Sequence, residues 1–294
     1  MSNLLNRLKA DAEAVEKALT EYLSRENDRY PVLFDAMRYG VLGGGKRVRP
    51  FLAIEVCRML GGKTEDVMPY ACALEHIHSY SLVHDDMPCM DNDVLRRGKP
   101  TMHVKYGEAN ALLCGDALLT KAFEIATENE NADPKIQSRA VKSIADLSGA
   151  FGMIGGQMLD LASEGKNISP EDMRYLHSLK TGALIKCACR LGIIASGCTD
   201  EGITADIDEY ARCIGITFQI IDDILDKTGD EATFGKSIGS DEKQNKTTYL
   251  SFMSVEEAYS EADKLTKKAV AAIEKYENSE VLTEFAAWLY ARKK

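Results

Sequence analysis

Two clusters of aspartates hold the residues of this chain that are best suited to chemistry. One runs from Asp85 to Asp91 and the other from Asp222 to Asp226, and each ends a largely apolar helical stretch. Carboxylates gathered beside an apolar surface repel one another and lose hydration, so they stay ionised only where cations or donors offset their charge. Divalent metal is the simplest such cation, and we predict that both clusters bind it.

The second cluster has the spacing of a helix face. Asp222 and Asp226 are four residues apart and Asp223 and Asp226 are three apart, so the carboxylates lie on one side of a helix. The isoleucines and leucine around them can pack on the other side. An exposed acidic stripe is the alternative interpretation of this motif alone, and the presence of the first cluster argues against it.

The first cluster needs a distortion of the helix before its carboxylates can share a ligand. Asp85 and Asp91 are six residues apart, which is about 120° out of register on an ideal helix. Pro88 removes a helical hydrogen bond and disfavours α geometry for Met87, so we expect the helix to end or bulge here and bring Asp91 toward Asp85. Carboxylate oxygens from two helices suit magnesium that bridges phosphates better than zinc, which prefers His and Cys.

Basic residues stand close to the acidic clusters in the sequence. Arg96 and Arg97 follow the first cluster, and Arg49 follows a glycine-rich turn together with Lys46. A guanidinium holds phosphate oxygens through paired donors. Each basic group alone is compatible with an ordinary surface pair, but their occurrence with metal-binding carboxylates predicts a polyphosphate ligand.

Helices must position these residues. Apolar residues recur at helical spacing along almost the whole chain and period-2 alternation is nearly absent, which predicts an all-α fold. Ser169-Pro170 and the Ser254–Glu257 capping box mark helix starts. Breaks divide the chain into about ten or more helices; they lie at residues 43–45, 61–62, 131–134 and 165–167. Because no interdomain linker interrupts the pattern, we expect a single-domain helical bundle over residues 1–294.

Composition limits the classes of partner and the compartment. A formal net charge of −10 and a pI near 5.1 argue against nucleic-acid binding, which needs a basic face. No segment approaches the roughly 18 apolar residues of a membrane span. The eight cysteines form no Cys-x-x-Cys pair and most lie in apolar helical patterns, so we expect free buried thiols and a cytoplasmic protein.

Seven motifs follow one another across roughly residues 38–250. They are Gly44–Pro50, Ser81–Asp91, Arg96–Thr101, Gly155–Asp160, Lys180–Gly182, Phe218–Asp226 and Gly235–Asp241. Their residues and order resemble those of the trans-type isoprenyl diphosphate synthases, and in particular the bacterial farnesyl diphosphate synthases.

The resemblance implies an all-helical fold around a deep central cavity, a homodimer, and an active site in which three magnesium ions hold an allylic diphosphate. It implies that six aspartates bind these ions directly or support the residues that do. Asp85, Asp91 and Asp222 match direct ligands, whereas Asp86, Asp223 and Asp226 match ligands or supporting positions.

The same resemblance assigns the remaining site residues. Isopentenyl diphosphate is expected at Lys46, Arg49, His78 and Arg97, and the allylic diphosphate at Arg96, Lys180 and Lys236. Dipoles of Lys180, Thr181 and Gln219 are expected to stabilise an allylic cation, and released diphosphate to remove the final proton. No side chain is assigned as general base; His76, His84 and His103 are expected to be structural.

The product length is expected to depend on the helix before the first cluster. Tyr80 lies five residues before Asp85, about 7.5 Å deeper along the helix, where an aromatic ring can close the cavity. Ser81 leaves the adjacent space open. With the two-residue expansion at Pro88 and Cys89, this pattern resembles farnesyl synthases and favours a C15 product, with C20 as the alternative. Tyr80 as an ordinary packed aromatic residue is the competing interpretation.

Other classes of protein are less compatible with the sequence. A catalytically silent subunit of such a synthase typically lacks one aspartate cluster, and both are intact here. A metal-dependent phosphohydrolase around His84-Asp85 needs further histidine ligands, and a terpene cyclase does not need an isopentenyl site. Asn92 and Val94 stand where close relatives are often acidic, but neither matches an expected direct ligand.

Overall fold

A computed structural model describes residues 2–166, 168–228 and 247–292. Thirteen α-helices occupy most of these ranges. They are α1 Ser2–Tyr22, α2 Pro31–Val41, α3 Val48–Met59, α4 Thr64–Asp85, α5 Met102–Tyr106, α6 Glu108–Thr127, α7 Pro134–Ser148, α8 Met153–Ser163, α9 Pro170–Lys180, α10 Gly182–Ala195, α11 Glu201–Thr228, α12 Val255–Ile273 and α13 Glu280–Tyr290. The predicted all-α fold is confirmed.

Side-chain caps begin the helices where the sequence predicts them. Ser169 accepts a hydrogen bond from the backbone N–H of Asp172 at 3.1 Å, and Pro170 occupies the first turn of α9. Ser254 and Glu257 form the predicted capping box at the start of α12. Each cap satisfies backbone donors that have no partner inside the helix.

Helix α10 lies at the centre of the packing. It contacts α3, α4, α7, α9 and α11, and ten of its fourteen residues are buried. A helix that is apolar on nearly all sides must be enclosed by other helices. Because α4 and α11 both pack against α10, the helices that carry the two aspartate clusters share one support.

Pro88 has the predicted effect on the first cluster. Helix α4 ends at Asp85, and the chain then turns so that the backbone N–H of Asp91 donates to the carbonyl oxygen of Asp85 at 2.9 Å. The predicted return of Asp91 toward Asp85 is confirmed.

A short hairpin follows this turn. Strand β1, Leu95–Arg96, pairs with β2, Lys99–Pro100, in antiparallel register. Arg97 and Gly98 form the two-residue connection with φ angles of 53° and 74°, a geometry that matches the twist of a tight hairpin. The hairpin was not predicted, because two residues per strand are too few to show alternation.

The structure also bears on the predictions that no segment spans a membrane and that the cysteines are free and buried. Across the described ranges, no helix combines the length and apolar character that a bilayer span needs. All eight cysteines are free, and six are buried. Cys89 is exposed and Cys198 is half-buried, so these two differ from the expectation of buried thiols.

Candidate active site

Side chains of the first aspartate cluster are held by donors from other elements. Arg96, on the hairpin, donates from Nε to both carboxylate oxygens of Asp86 at 2.8 and 2.7 Å. Gln157 of α8 donates its amide to Asp85. Burial alone lowers the pKa of Arg96, but the hydrogen bonds and charge of Asp86 outweigh this and raise it. Asp86 is therefore a buried partner of an arginine, whereas Asp85 lines the cavity described below.

Helix α11 carries the whole second cluster, since it continues unbroken to Thr228. Asp223 is buried, and its oxygens accept from the Gln219 amide and from the backbone N–H of Tyr249, both at 2.8 Å. Asp222 pairs with Arg292. Burial raises the pKa of Asp222, against the opposing charges of Arg292, Lys46 and Arg49. These contacts exclude a simple solvated stripe.

Cationic side chains converge between the clusters. Burial, and then the charges of Arg49 and Arg97, lower the pKa of His78 well below its ordinary value, so the imidazole is neutral. Burial also lowers the pKa of Arg49, and its Nε is buried with no hydrogen-bond partner among the described residues. Lys46 has its pKa lowered by partial burial and by Arg292. Repelling cations with an unused buried donor form a site for a multiply charged anion.

Two of these groups, Arg49 and His78, line a cavity of about 570 Å³. Its polar lining includes Arg49, His78, Asp85 and Lys180, and its apolar lining includes Leu119 and Leu184. Asp222 does not line the cavity but is close enough to influence the pKa of Arg49, which does. The second cluster therefore lies within electrostatic range of a side chain that lines the cavity, and Asp85 of the first cluster lines it directly.

The junction between α9 and α10 supplies polar groups to the same cavity. Lys180 ends α9 and pairs with Asp160 of α8. Thr181 lies between the helices and donates from Oγ1 to Oε1 of Gln219 at 3.0 Å. Gln219 in turn donates to Asp223, so a hydrogen-bond chain joins the cavity wall to the second cluster.

Gly156 allows α8 to approach this junction. A Cβ at this position would lie 2.2 Å from the backbone nitrogen of Lys180, so only glycine fits. Gln157 and Asp160, which contact Asp85 and Lys180, follow within one helical turn. The motif that begins at Gly155 thus places one helix against both acidic and basic site residues.

Tyr80 lines the cavity from α4 and is 5% exposed. Its ring lies edge-on to His84, with 5.9 Å between the centroids, and its hydroxyl has no hydrogen-bond partner among the described residues. Burial raises the pKa of Tyr80 to about 12. Ser81 also lines the cavity, and its hydroxyl donates to the carbonyl oxygen of His78 at 2.8 Å.

Sequence comparison assigns this architecture to a known family. A family model described as "Polyprenyl synthetase" matches residues 30–287, which is most of the chain. The chain belongs to the polyprenyl synthetase family. It is therefore a member of the trans-prenyltransferases of isoprenoid biosynthesis.

Relatives in the polyprenyl synthetase family carry names for more than one product. The chain is 43% identical over 250 residues to a farnesyl diphosphate synthase of Geobacillus stearothermophilus, with 84% of each chain covered. It is also 43% identical over 281 residues to a geranylgeranyl diphosphate synthase of Cyanophora paradoxa, covering 95% of this chain and 93% of that one.

Solved structures of other proteins agree with the fold. An apo FPP/GFPP synthase from Zymomonas mobilis superposes with a TM-score of 0.88 at 36% identity, covering 98% of this chain and 99% of that one. A geranyltransferase from Helicobacter pylori, complexed with magnesium and isoprenyl diphosphate, gives 0.88 at 32% identity, covering 99% of both chains.

The predicted site residues of this polyprenyl synthetase fall into two pockets. The large cavity is lined by Arg49, His78, Tyr80, Ser81, Asp85, Lys180 and Thr181. A separate pocket is lined by Asp86, Arg96 and Arg97, so Arg97 does not line the cavity that Arg49 and His78 share. Lys236 lies outside the described residues, and Asp226 has no described contact that tests its role.

Of the histidines expected to be structural, His84 also lines the cavity, and one of its ring nitrogens lies 3.0 Å from the carbonyl oxygen of Leu112. Nδ1 of His76 lies 2.8 Å from the carbonyl oxygen of Cys72. Nδ1 of His103 lies 3.2 Å from Oγ1 of Thr101.

Three site residues were not predicted. Gln157 and Asp160 belong to a motif that the sequence analysis quoted without giving its members a role, and their spacing of three on one helix face was the available signal. Arg292 contacts Asp222, and its guanidinium carbon lies 5.0 Å from the centroid of the Phe218 ring. Nothing in the local sequence indicates that contact, because it joins residues 70 positions apart.

Proposed function

We propose that this polyprenyl synthetase is a farnesyl diphosphate synthase. It condenses isopentenyl diphosphate with dimethylallyl diphosphate and then with geranyl diphosphate to give the C15 product. The observation that carries this proposal is Tyr80, a buried aromatic side chain that lines the cavity five residues before Asp85. A geranylgeranyl (C20) synthase is the second candidate, because a relative that covers most of the chain has that name.

The reaction begins with ionisation of the allylic substrate. The carbon–oxygen bond breaks, and diphosphate leaves with the bonding electron pair. Cationic side chains at the site stabilise the charge that develops on diphosphate. The double bond of isopentenyl diphosphate then attacks the allylic cation and forms the new carbon–carbon bond, and released diphosphate takes the proton that is lost.

The carboxylates fit magnesium as the assisting ion. Asp85, Asp91 and Asp222 are proposed as direct ligands, with Asp86, Asp223 and Asp226 as ligands or supports. Within residues 2–166, 168–228 and 247–292, no three metal-ligating side chains cluster tightly enough to hold an ion alone. Magnesium suits such a site, because it is commonly bound by one or two carboxylates together with waters and substrate phosphates. When bound, it neutralises charge on the departing diphosphate; three ions per site are proposed.

The cationic side chains and the neutral imidazole of His78 divide between the two substrates. Lys46, Arg49, His78 and Arg97 are proposed to bind isopentenyl diphosphate, which is supported by the unpartnered Nε of Arg49. Arg96, Lys180 and Lys236 are proposed to bind the allylic diphosphate. Arg96 and Lys180 are paired with carboxylates, and we expect these pairs to hold their charges in position until diphosphate arrives.

The cation that forms during the reaction needs a surrounding that stabilises it without capturing it. Lys180 and Thr181 line the cavity, and Thr181 is hydrogen-bonded to Gln219. We propose that carbonyl and hydroxyl dipoles of these three residues stabilise the allylic cation. Leu119 and Leu184, among other apolar side chains of the cavity, exclude the water that would quench it.

We further propose a homodimer that works in the cytoplasm. Helices α6 and α8 both line the cavity, and both expose apolar side chains, Leu113 (57% exposed) on α6 and Met158 (64%) on α8; Phe151, just before α8, is 92% exposed. Exposed apolar side chains of this size beside one cavity favour an interface, and we commit to a second copy of this chain as its occupant. Eight free cysteines suit a reducing compartment.

Product length with separate starters tests the proposal. Purified protein is incubated with magnesium, isopentenyl diphosphate and dimethylallyl, geranyl or farnesyl diphosphate, and the dephosphorylated products are identified by mass. We expect C15 from the two shorter starters and no extension of farnesyl diphosphate. A C20 product would favour the second candidate. Absence of condensation would favour a silent subunit, and product without isopentenyl diphosphate a cyclase or hydrolase.

Substitution of Tyr80 tests the proposed floor of the cavity. Tyr80→Ala opens space below Asp85 and is expected to shift the main product from C15 to C20 or longer. Tyr80→Phe is the matched control, because it keeps the ring and removes only a hydroxyl that has no described partner; it should still give C15. Unchanged C15 from an active Tyr80→Ala variant would show that another residue limits the product.

A further inference from the structure

Arg47 has an unusual backbone conformation between two residues of the proposed isopentenyl site. Its φ and ψ angles are 48° and 38°, in the left-handed region that residues other than glycine rarely adopt. It precedes the first residue of α3, and its side chain is buried. A conformation of this kind persists only when the surrounding structure holds it.

Hydrogen bonds of the Arg47 guanidinium stabilise this backbone conformation. Nε and Nη2 donate to Oε1 of Glu16 at 2.9 and 2.6 Å. Nη2 also donates to the carbonyl oxygen of Val41 at 2.6 Å, and Nη1 donates to Oε1 of Glu75 at 2.5 Å. All three nitrogens are thus engaged by protein acceptors, which distinguishes Arg47 from the substrate-facing Arg49.

These contacts connect the elements around the proposed isopentenyl site. Glu75 lies on α4 one turn before His78, Glu16 lies on α1, and Val41 ends α2. Arg47 stands directly after Lys46 and two residues before Arg49. The position of its backbone therefore fixes the positions from which both of these side chains extend. Lysine cannot reproduce this arrangement, since a planar guanidinium offers a rigid fork and an ammonium does not.

Glu75 also balances charge in this region. It is 3% exposed and faces several guanidiniums. Burial lowers the pKa of Arg49 and of Arg97, and in both cases Glu75 is the strongest charge that raises it. Glu75 therefore offsets part of the repulsion among these cations in the absence of an anion.

We propose that Arg47 and Glu75 are positioning residues for isopentenyl diphosphate: their buried ion pair fixes Lys46, Arg49 and His78 relative to one another without contacting the substrate. This inference rests on the proposed function, because it assumes that these residues bind isopentenyl diphosphate.

Charge-conserving substitution separates position from charge. Arg47→Lys keeps the positive charge but loses the planar set of guanidinium donors. We therefore expect KM for isopentenyl diphosphate to rise roughly tenfold, while KM for geranyl diphosphate changes less than about twofold. Steady-state kinetics with each substrate varied in turn measures both constants.

Arg58→Lys is the matched control. Arg58 lies on α3, pairs with Glu55 of the same helix and links it to α1 through the buried carboxylate of Asp11, but it is not among the cavity-lining residues. Both variants should lower the melting temperature, and only Arg47→Lys should change KM for isopentenyl diphosphate. Equal increases of the two KM values in Arg47→Lys, or the same KM change in Arg58→Lys, would overturn the proposal.

Glu75→Gln keeps the inference testable if Arg47→Lys does not fold. Loss of positioning raises KM for isopentenyl diphosphate, whereas a role through charge alone would lower it, because a negative charge near the diphosphate is removed. A lowered or unchanged KM overturns the positioning role. Failure of the proposed function is distinguishable from these outcomes, since the wild-type protein would then show no condensation dependent on isopentenyl diphosphate.

Discussion

At the scale of residues, burial lowers the pKa of three histidines, His76, His78 and His177. His78 lies among arginines and is neutral for that reason as well as through burial, which suits a hydrogen-bond donor or acceptor in an anion site. His76 is fully buried and His177 is half-buried beside Asp160 and Lys180, and desolvation is the largest cause that lowers the pKa of each to about 4. Because His76 and His177 are neutral in the folded protein, the free energy of unfolding depends on pH through both of them.

His76 is expected to make the protein less stable in acid. A histidine in the unfolded chain binds a proton near pH 6.5, whereas His76 in the folded protein does so only near pH 4. Between these pH values the unfolded state binds more protons, so the free energy of unfolding is highest above pH 6.5 and falls as the pH is lowered toward 4. The shift corresponds to roughly 3 kcal/mol at most. Urea denaturation between pH 7.5 and 4.5 should show a smaller pH-dependent loss of stability for His76→Gln than for the wild type. Parallel pH profiles would contradict this assignment.

At the scale of elements, close helix packing sets the position of the site. Gly192 lets α10 approach α3, because a Cβ there would lie 2.6 Å from the carbonyl oxygen of Ala53 and 2.9 Å from the backbone nitrogen of Cys57. Helix α3 begins beside Lys46 and Arg49, and α10 begins beside Lys180 and Thr181. The contact between these helices therefore fixes the two sets of residues relative to each other.

Gly192→Ala is expected to force α3 and α10 apart. Alanine favours a helix more than glycine does, but the added methyl meets backbone atoms that cannot rotate away. We expect a loss of about 1–3 kcal/mol in the free energy of unfolding, measured by chemical denaturation. Gly202→Ala is the control, because this exposed position in the first turn of α11 meets only a side-chain oxygen, at 3.1 Å. Equal stability of the two variants would show that the contact adapts.

At the scale of the whole molecule, the chain encloses a cavity but leaves apolar surface beside it. Ile154 and Met158 line the cavity and are also 43% and 64% exposed. The same helix follows Phe151, which is almost fully exposed. A second copy bound at this surface would bury these side chains and complete the outer wall of the cavity.

Phe151→Glu is expected to weaken the proposed dimer. A charge placed in an apolar interface loses hydration without gaining a partner, so the molar mass from light scattering should fall toward that of one chain on dilution. Phe252→Glu serves as the control, because Phe252 is 40% exposed and adjoins α12 instead of α6 or α8. A monomeric wild type, or an undiminished mass for Phe151→Glu, would reject this surface as the interface.

Much of the fold and the site could be predicted from local patterns. The capping residues Ser169 and Ser254, the proline that ends α4, and the three-residue and four-residue spacings in the second cluster act within one or two helical turns. Such effects depend on neighbours in the sequence. Membership of the polyprenyl synthetase family is likewise confirmed. The roles of the site residues, one domain over residues 1–294 and the C15 product stay predictions.

The sequence by itself determined the helices, the two carboxylate clusters and the residues beside them, because periodicity, caps and spacing are local properties. Tertiary structure alone decided which donors and charges meet the buried and half-buried carboxylates. Arg47 meets Glu75 across 28 positions, Gln157 meets Asp85 across 72, and Arg292 meets Asp222 across 70. Each pair forms only after helices pack, because the cost of burying one charge is offset by a partner that the fold brings from a distant part of the chain.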